Sequence, residues 1–538
     1  MQRNLRLVLL PLVLMLLGLG SLFLLLGLME SLDTYRPARA AVVGVSEAAE
    51  QVAVTPGLSP SVVLVVVDGL REDASGDMPY LTGLRQMGAY GTVRSGQPSY
   101  SMPSYAVLSS GAWQEKTGIV LNDGKGPLTV DTVFRLARRH GMSVVMVAHQ
   151  WWEELNGREA FSSVLTYSDS DASLAVDAWV RDRAVAVFRP DPPDLTLVHF
   201  MQVDSEGHAA GAASPQYRDA VLATDSYIKD VVAAMDLTRQ TLIVTADHGH
   251  LSHNAGGGSG HGGWESELVT VPLVMVGAGV KVGSLPSIVQ QTDVAPTVAA
   301  LLGLPVPGGA QGRVIWEGLA SGTEYRATIE VADQARQASV AAADQAHSAR
   351  LRAERTTRAL LVILIAALVA AGVFASRRHV DPTGAKLVAA SALVYLPVYW
   401  LVYGVLFRYA FSLAVFPDAS LLTFVRIIGV PALISLLVLY VALARSRAFE
   451  GRGGPTLAVE AVTAGAMLSL AVVASAGYIV NGARVTWHLP DFRIGFLQMS
   501  ALLQFGLIGL LAWAPPVAVA AGFVASERRC YSRNRQVL

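Results

Sequence analysis

The sequence predicts a mostly parallel α/β sheet sandwiched by helices, together with an N-terminal transmembrane helix and a C-terminal helical transmembrane bundle. Short apolar, β-branched runs end in aspartate at Asp68, Asp204 and Asp247, and such runs are typical of buried parallel strands. Of the 538 residues, 52% are hydrophobic and 15% are charged, against about 25% charged in an average soluble protein. Long apolar segments occur near both ends of the sequence, which indicates that part of the chain lies in a bilayer.

The first apolar segment, residues 7–29, follows Arg3 and Arg6. It is longer than the apolar core of a signal peptide, which runs for roughly 7 to 15 residues. We therefore predict an uncleaved transmembrane anchor over residues 1–29 and a linker over residues 30–60. The alternative is cleavage at the nearest small-x-small site, Ala38-Arg39-Ala40.

Residues 61–323 alternate apolar runs with helical patterns, as expected for an α/β domain. Besides the three runs that end in aspartate, residues 143–148 and 271–276 are predicted strands, and residues 217–235 are a predicted amphipathic helix. Residues 324–358 are rich in alanine and charge and contain no glycine or proline. They are predicted to form one connecting helix.

The C-terminal region, residues 359–538, contains five candidate spans, at about 359–375, 387–406, 421–444, 458–480 and 496–524. Basic clusters at 376–379, 445–452 and 527–535 fall on the same side as Arg3 and Arg6 if every segment crosses the membrane. Because cytoplasmic loops carry an excess of Lys and Arg, the sequence predicts a multi-pass cell membrane protein with both termini inside and the α/β domain outside the cytoplasm.

Charge and cysteine content narrow the classes of partner. The formal net charge of −1 provides no basic field, so no nucleic-acid polymer is predicted to bind. The single cysteine, Cys530, cannot form a disulfide within the chain. The lipid bilayer is the predicted partner, and the outer domain must be stable through its core and any metals it binds.

Polar residues collect where the predicted strands end. The segments DSEGH, with Asp204 and His208, and DHGH, with Asp247 and His248, place histidine close behind aspartate. In an open α/β sheet the ligand site lies beyond the carboxyl ends of the strands. Carboxylate and imidazole groups gathered at one edge are metal ligands, so we predict a metal site there.

An ordered set of motifs carries a family resemblance: VVVDG, PSYSMPSYAVLSSG, QVDSEGH, TADHGH, GHGG and QTDVAPTVAALLG. In this order they resemble the alkaline phosphatase superfamily over about residues 61–307. The similarity is closest to the type I phosphodiesterase and nucleotide pyrophosphatase branch, and extends to the phosphoglycerate mutase-like and GPI ethanolamine-phosphate transferase-like enzymes. It implies an alkaline phosphatase-like sheet and a site for two divalent metals.

The resemblance implies roles for individual residues. Ser101 would be the nucleophile that forms a covalent seryl phosphate. The implied ligand sets are Asp68, Ser101, Asp247 and His248 for one metal and Asp204, His208 and His261 for the other. This mixture of carboxylate and neutral imidazole suits zinc, and manganese is the alternative.

The sequence departs from the family pattern at two positions. Ser104 replaces an asparagine that helps to hold a phosphate oxygen in the diesterase branch, so Ser104 is the substrate-binding candidate at that position. The segment Ser101-Met102-Pro103-Ser104 also resembles a sulfatase motif, but Tyr105 replaces its arginine. Spacing alone does not decide among the histidines of residues 248–261. The resemblance favours His248 and His261, which leaves His250 and Glu267 as groups that orient ligands.

Together these observations predict a metal-dependent phosphoesterase or phosphotransferase. Five spans are more than an anchor requires, which favours a lipid or lipid-linked phosphodiester as the substrate. Three alternatives stay open: a nucleotide pyrophosphatase or phosphodiesterase acting on soluble substrates, a sulfatase, and a catalytically inactive membrane sensor or scaffold.

Overall fold

The computed structural model describes residues 2–37, 56–123, 126–168, 174–189, 191–253, 258–376, 382–417, 420–445 and 454–512. The strands are β1 Ser61–Val67, β2 Ala89–Arg94, β3 Val144–His149, β4 Ser163–Tyr167, β5 Leu195–Phe200, β6 Gln240–Thr245, β7 Thr270–Gly277, β8 Gly283–Ser284 and β9 Val289–Gln290. The helices of the α/β domain are α2 Pro79–Arg85, α3 Ser101–Ser110, α4 Gln114–Thr117, α5 Val133–Arg139, α6 Trp151–Asn156, α7 Leu174–Val187, α8 Gln202–Ala210, α9 Pro215–Ala233, α10 Ser266–Val269 and α11 Val294–Leu301. The remaining α-helices are α1 Gln2–Asp33, α12 Thr323–Ala375, α13 Pro382–Trp400, α14 Leu421–Phe424, α15 Val430–Ala444, α16 Gly454–Asn481 and α17 Phe492–Leu511. A π-helical segment, Leu401–Leu406, extends α13, and another, Val425–Gly429, joins α14 to α15.

The described strands form one sheet in the order β4-β3-β5-β1-β6-β7-β2-β8, with β9 paired to β2. Strand β1 lies between β5 and β6 and is parallel to both, and all seven of its residues are buried. Strand β7 is antiparallel to β6 and β2. The predicted mostly parallel α/β fold is therefore confirmed, although the sequence did not indicate the direction of β7.

Helix α9 shows how the sequence covers one face of the sheet. The Ser214 side chain accepts a hydrogen bond from the backbone N–H of Tyr217, and Pro215 occupies the first helical position, both of which favour a helix start. Tyr217, Val221 and Ile228 are buried on the inner face of the helix. The spacing of these buried residues is that of an amphipathic surface helix.

The carboxyl ends of β1, β5 and β6 meet at one edge, as predicted, but they do not all end in aspartate. Asp68 follows β1 directly, and Asp247 comes two residues after β6. Strand β5 ends at Phe200, and Asp204 lies in the first turn of α8. The expectation that a strand reaches Asp204 is wrong, because the Asp177 carboxylate accepts hydrogen bonds from the backbone N–H groups of Met201 (2.9 Å) and Gln202 (3.1 Å) and begins a helix there.

Six helices of the described residues are long and apolar enough to cross a membrane: Pro11–Asp33, Thr323–Ala375, Pro382–Leu406, Leu421–Leu443, Ala458–Asn481 and Phe492–Leu511. Helix α12 is continuous over 53 residues, about 80 Å at 1.5 Å per residue. It joins the predicted connecting helix to the first C-terminal span. The end of the last predicted span, most of the linker, most of the basic clusters and Cys530 lie outside the described residues.

Helix α1 is packed into the C-terminal bundle. A Cβ atom at Gly18 would lie 3.0 Å from the carbonyl oxygen of Gly506 and from Cα of Gly509. Small residues that let two backbones approach in this way are typical of helix pairs in membranes. The N-terminal segment therefore contacts the other spans directly.

Candidate active site

Ser101 lies at the centre of the first predicted ligand set. It is the first residue of α3, and its Oγ lies 3.1 Å from Nε2 of His248. The same imidazole nitrogen is 3.4 Å from Asp68 Oδ1 and 3.3 Å from Asp247 Oδ2. The ligand atoms of Asp68, Asp247 and His248 all lie within 4.8 Å of one another. The structure thus brings the four residues together from β1, α3 and the segment after β6.

The second predicted set also converges. Asp204 and His208 are four residues apart on α8, which places them on one face of the helix, and Asp204 Oδ2 is 3.0 Å from His208 Nε2. His261 arrives from the loop before α10. Its Nε2 is 3.2 Å from His208 Nε2 and 3.8 Å from Asp204 Oδ1.

Oxygen atoms of all three aspartates are left without hydrogen-bond partners among the described residues. These atoms are Asp68 Oδ1, Asp204 Oδ1 and Asp247 Oδ2, and each is buried. Burying an unpaired carboxylate is costly unless a cation compensates it. The donor set therefore fits divalent metals.

His250 reaches the same site as the second set. Its ring occupies a narrow slot, because a Cβ at Gly207 would lie 2.4 Å from His250 Cδ2 and one at Gly260 would lie 1.9 Å from Cε1. The buried Nε2 has no hydrogen-bond partner among the described residues and is 3.9 Å from Asp204 Oδ1. The ligand atoms of Asp204, His208 and His250 lie within 4.8 Å of one another. His250 could therefore hold the same metal ion as Asp204 and His208.

Glu267 and His253 lie apart from the ligand atoms. The Glu267 carboxylate accepts hydrogen bonds from Arg71 (2.7 Å) and Ser252 (2.9 Å), while His253 is exposed. Arg71 also contacts the carbonyl oxygen of His250 at 3.5 Å. Through Arg71 and Ser252, Glu267 therefore stabilises the segment that carries His250. It does not contact the candidate ligand atoms.

Charges within the site shift several pKa values in opposite directions. Burial, followed by the charges of Asp68 and Asp204, raises the pKa of Asp247 well above its usual range. Burial would also raise the pKa of Asp204, but the neighbouring charges of His208 and His261 outweigh it and hold that pKa well below its usual range. Asp204 raises the pKa of His208 to about 9. A site with this much buried acid attracts cations.

Behind Asp68 lies a polar network that the motifs did not indicate. Tyr105 Oη donates a hydrogen bond to Asp68 Oδ2, and His199 Nε2 lies 3.2 Å from the same oxygen. His199 Nδ1 is in turn 2.7 Å from Tyr167 Oη. The available signals were a histidine inside a buried, mostly apolar strand and a tyrosine one helical turn after Ser101.

Asn122 is a second residue that the sequence did not indicate. Its Oδ1 accepts a hydrogen bond from the backbone N–H of Met102 at 2.9 Å, and the side chain lines the same cavity as Ser101. Ser104 is fully buried within α3 and is not among the residues that line this cavity. An amide thus stands near Ser101 at a position that no motif marked.

The cavity in front of Ser101 has a volume of about 1000 Å³. Its polar wall includes Ser101, Asp204, His208 and His261. Other lining residues are apolar side chains of the membrane bundle, and Glu30 and Asp33 near the end of α1 also line the cavity. The apolar residues include Leu413, Phe416, Phe424, Phe492 and Met499. The site therefore opens toward the bundle.

Fold and site together define a membrane protein whose α/β domain carries a clustered aspartate, histidine and serine centre. Residues 62–168 and 148–256 match the family model of type I phosphodiesterase / nucleotide pyrophosphatase. The chain is similar to the catalytic subunit of human GPI ethanolamine phosphate transferase 2, with 28% identity over 281 residues, 48% of this chain and 28% of that protein. It is similar to GPI ethanolamine phosphate transferase 2 of Aspergillus fumigatus, with 25% identity over 301 residues, 49% of this chain and 38% of that protein. These matches fit the alkaline phosphatase superfamily, so the resemblance carried by the motifs is confirmed.

The chain spans 28% and 38% of the length of these two relatives. Among solved structures, it is similar to murine ectonucleotide pyrophosphatase / phosphodiesterase 5, with 16% identity, a TM-score of 0.39 and coverage of 46% of this chain and 96% of that chain. A 2-O GAG sulfatase, BT1596, is similar at 16% identity and a TM-score of 0.39, over 48% of this chain and 73% of that chain. Likenesses this distant do not indicate a substrate.

Proposed function

We propose that this protein is a metal-dependent phosphoesterase or phosphotransferase that acts outside the cytoplasm, through Ser101, on a lipid or lipid-linked phosphodiester. The observation that carries the proposal is the cavity, which joins Ser101 and the aspartate and histidine ligands to the apolar side chains of Phe424, Phe492 and Met499. A lipid phosphodiester has both parts that such a cavity accommodates, a charged phosphate and a hydrocarbon chain. Two relatives are named GPI ethanolamine phosphate transferase 2, which supports transfer as well as hydrolysis.

The residues divide between two metals. Asp68, Ser101, Asp247 and His248 would hold the first metal, and Asp204, His208 and His261 would hold the second. Zinc suits this set, and manganese is the alternative. When bound, the metals supply positive charge for the phosphate oxygens and favour the ionised form of the serine hydroxyl.

The chain's own residues account for positioning and for the covalent step. Ser101 sits at the start of α3 with its side chain in the cavity. In the proposed reaction its Oγ loses a proton and forms a bond to phosphorus, while the ester bond to the leaving alcohol breaks and that alcohol takes up a proton. Water or an acceptor alcohol then displaces Ser101 from the seryl phosphate and releases the hydroxyl. The Asn122 amide, which lines the cavity, would contact a phosphate oxygen, the role that the sequence had suggested for Ser104.

The proposed topology has both termini inside. Residues 1–29 are the anchor, 30–60 a linker, 61–323 the extracytoplasmic catalytic domain, 324–358 the connecting helix and 359–538 the five-span bundle. The six membrane-length helices of the described residues agree in number with this scheme. Labelling of cysteines introduced on either side of the spans measures the orientation directly.

A hydrolase of soluble nucleotides or other diesters is the second candidate, supported by the family model that matches residues 62–168 and 148–256. It needs the same ligands but no contact between substrate and bundle. Nothing in the site favours a sulfatase, which requires Ser101 to be oxidised to formylglycine. An inactive sensor or scaffold does not require metal ligands, so it does not explain why the aspartate and histidine side chains converge here.

The deciding experiment uses the full chain in lipid nanodiscs with zinc or manganese. Release of phosphorylated headgroup from a fluorescent phospholipid is measured beside turnover of bis-aryl phosphate, aryl phosphate and aryl sulfate. Ser101→Ala is the test variant, and Ser284→Ala, at an exposed position, is the matched control. We expect phospholipid to be the best substrate and Ser101→Ala to lose several orders of magnitude in rate. Equal activity of Ser101→Ala would refute the nucleophile, and a marked preference for soluble diesters would favour the second candidate.

A further inference from the structure

A loop of the membrane bundle is hydrogen-bonded to the loop that carries His261. We call residues 411–417 the bundle loop and residues 258–265 the histidine loop. The backbone N–H of Gly260 donates to the carbonyl oxygen of Ala414 at 2.9 Å, and that of Ser259 donates to Phe416 at 3.2 Å. The Ser412 hydroxyl donates to Glu265 Oε2 at 2.9 Å.

The two loops fit closely. A Cβ atom at Gly258 would lie 2.5 Å from the carbonyl oxygen of Ala414 and 2.6 Å from the backbone of Val415, so any larger residue there would press the loops apart. Ser412 is fully buried and Ala414 has no exposed surface. Ser412 Oγ also accepts a hydrogen bond from the backbone N–H of Ala414 at 3.2 Å, which fixes the turn of the bundle loop.

Aromatic side chains anchor the bundle loop in the spans. The rings of Phe416 and Phe424 are stacked with centroids 4.4 Å apart, and Phe416 also packs against Phe496 of α17 at 6.1 Å. Phe411 packs against Tyr403 at 4.4 Å. The position of the bundle loop is therefore set by the packing of the membrane helices.

The α/β domain holds the histidine loop from its other side. The backbone N–H of Gly262 donates to the carbonyl oxygen of Ser99 at 3.1 Å, and Ser99 Oγ donates to Gly263 at 2.9 Å. His261 thus lies between contacts made by the domain and contacts made by the bundle. The carbonyl oxygen of Gly260 also accepts from the N–H of Leu251 at 2.8 Å, which ties the segment of His250 to the same support.

We propose that the bundle loop positions His261 for the second metal, so that the membrane bundle is a structural part of the metal centre as well as an anchor. The proposal rests on the proposed role of His261 as a ligand. Ser412 and Glu265 are positioning residues, and the backbone of Ala414 supplies the central contact. Groups that orient metal ligands in this way are commonly worth about ten- to hundredfold in metal affinity.

The test uses the full chain in nanodiscs and measures metal binding directly. Gly258→Ala separates the two loops without removing any side chain of the site. Gly83→Ala is the control, because a Cβ there meets nothing within 4 Å. Stepwise loading of the metal-free protein with Co²⁺, followed by visible absorption, reports the two sites separately. We expect Gly258→Ala to weaken Co²⁺ binding at the site of Asp204, His208 and His261 about ten- to hundredfold and to leave binding at the site of Asp68, Asp247 and His248 unchanged.

A second pair of variants tests the side-chain contact. Ser412→Ala removes the hydroxyl that bonds Glu265, and Ser412→Thr retains it, so affinity for the second Co²⁺ should fall in the first variant and be restored in the second. Unchanged affinities in Gly258→Ala would overturn the proposal. Equal weakening of Co²⁺ binding at both sites would also overturn it, because that result indicates general destabilisation. If the unaltered protein binds no divalent metal, the proposed function itself fails.

Discussion

The Tyr105 hydroxyl donates a hydrogen bond to Oδ2 of Asp68 and thereby fixes which oxygen of that carboxylate faces the site. His199 Nε2 contacts the same Oδ2 at 3.2 Å. The other oxygen, Oδ1, has no hydrogen-bond partner among the described residues and lies 3.4 Å from His248 Nε2. The Tyr105 ring is itself stacked on Trp152 with centroids 4.5 Å apart. Asp68 is therefore held in one orientation, with a single oxygen available to a metal.

The first prediction concerns this orientation. Tyr105→Phe keeps the ring and its packing but removes the hydroxyl, so Asp68 Oδ2 retains only its contact with His199 and the carboxylate is held less firmly. We expect affinity for the first metal to fall about ten- to hundredfold, with little change in thermal stability. Competition with a chelator measures the affinity. Tyr80→Phe, outside this network, is the matched control, and an unchanged affinity in Tyr105→Phe would show that His199 alone fixes Asp68.

The second prediction separates the two metals. Asp204→Asn removes the charge that both histidines of the second set share, whereas Asp68→Asn removes a charge beside Ser101. We expect Asp204→Asn to retain about one equivalent of metal, and Asp68→Asn to impair the metal at Ser101 directly. Metal content after gel filtration, measured by mass spectrometry of the elements, gives the stoichiometry. Full retention of two equivalents by Asp204→Asn would exclude Asp204 as a ligand.

The third prediction addresses His250, which the sequence suggested as an orienting group. Its Nε2 lies 3.9 Å from Asp204 Oδ1, nearly the same as the 3.8 Å of His261. Burial lowers the pKa of His250 to about 4, so its imidazole is neutral and able to bind a metal at pH 7. We expect His250→Ala to lower the affinity for the second metal and to change the Co²⁺ absorption of that site. His253→Ala, at an exposed position, should change neither. A normal spectrum in His250→Ala would leave His250 outside the ligand set.

Most of the residues that converge at the candidate site were predicted from the sequence, some from local patterns and others from the family resemblance. Asp68 and Asp247 come just after buried strands. Ser101, His208 and His261 were indicated by the ordered set of motifs that resembles the family. The sequence pattern predicted that Asp204 ends a strand, because the apolar run continues past Phe200. In the structure the strand ends at Phe200, where the Asp177 carboxylate accepts hydrogen bonds from the backbone N–H groups of residues 201 and 202.

Long-range contacts lay beyond the reach of any local pattern. Tyr105 and His199 meet Asp68 across 37 and 131 residues of chain, and Ser412 meets Glu265 across 147 residues. Each of these contacts depends on the packing of elements far apart in sequence. Hydrophobic periodicity and residue spacing describe single helices and strands, so they give no information about contacts between distant ones.

The loop between α16 and α17 provides a final prediction, on stability and pH. The backbone N–H of Leu489 donates to Glu115 Oε1 of the α/β domain at 2.8 Å. The indole N–H of Trp487 donates to Glu354 Oε1 of α12 at 2.9 Å. His488 lies between these contacts and is 4% exposed. This loop thus joins the domain, the long helix and the bundle.

Burial, followed by the positive charge of Arg358, lowers the pKa of His488 from 6.5 to about 4. Glu354 acts in the opposite direction, while His347 and Arg355 add to the lowering. The folded state therefore keeps His488 neutral at a pH where the unfolded chain protonates it. Protonation of His488 therefore does not reduce the free energy of unfolding above pH 6.5, but that free energy falls as the pH decreases from 6.5 toward 4.

We therefore expect the thermal midpoint of the full chain in nanodiscs to fall between pH 7.5 and pH 5, and His488→Gln to reduce that fall. His140→Gln is the matched control, because His140 ends a short helix at the surface of the domain. The comparison should be made on metal-free protein, so that release of metal at low pH does not contribute. An equal loss of stability in His488→Gln and the unaltered chain would assign the pH dependence to other groups.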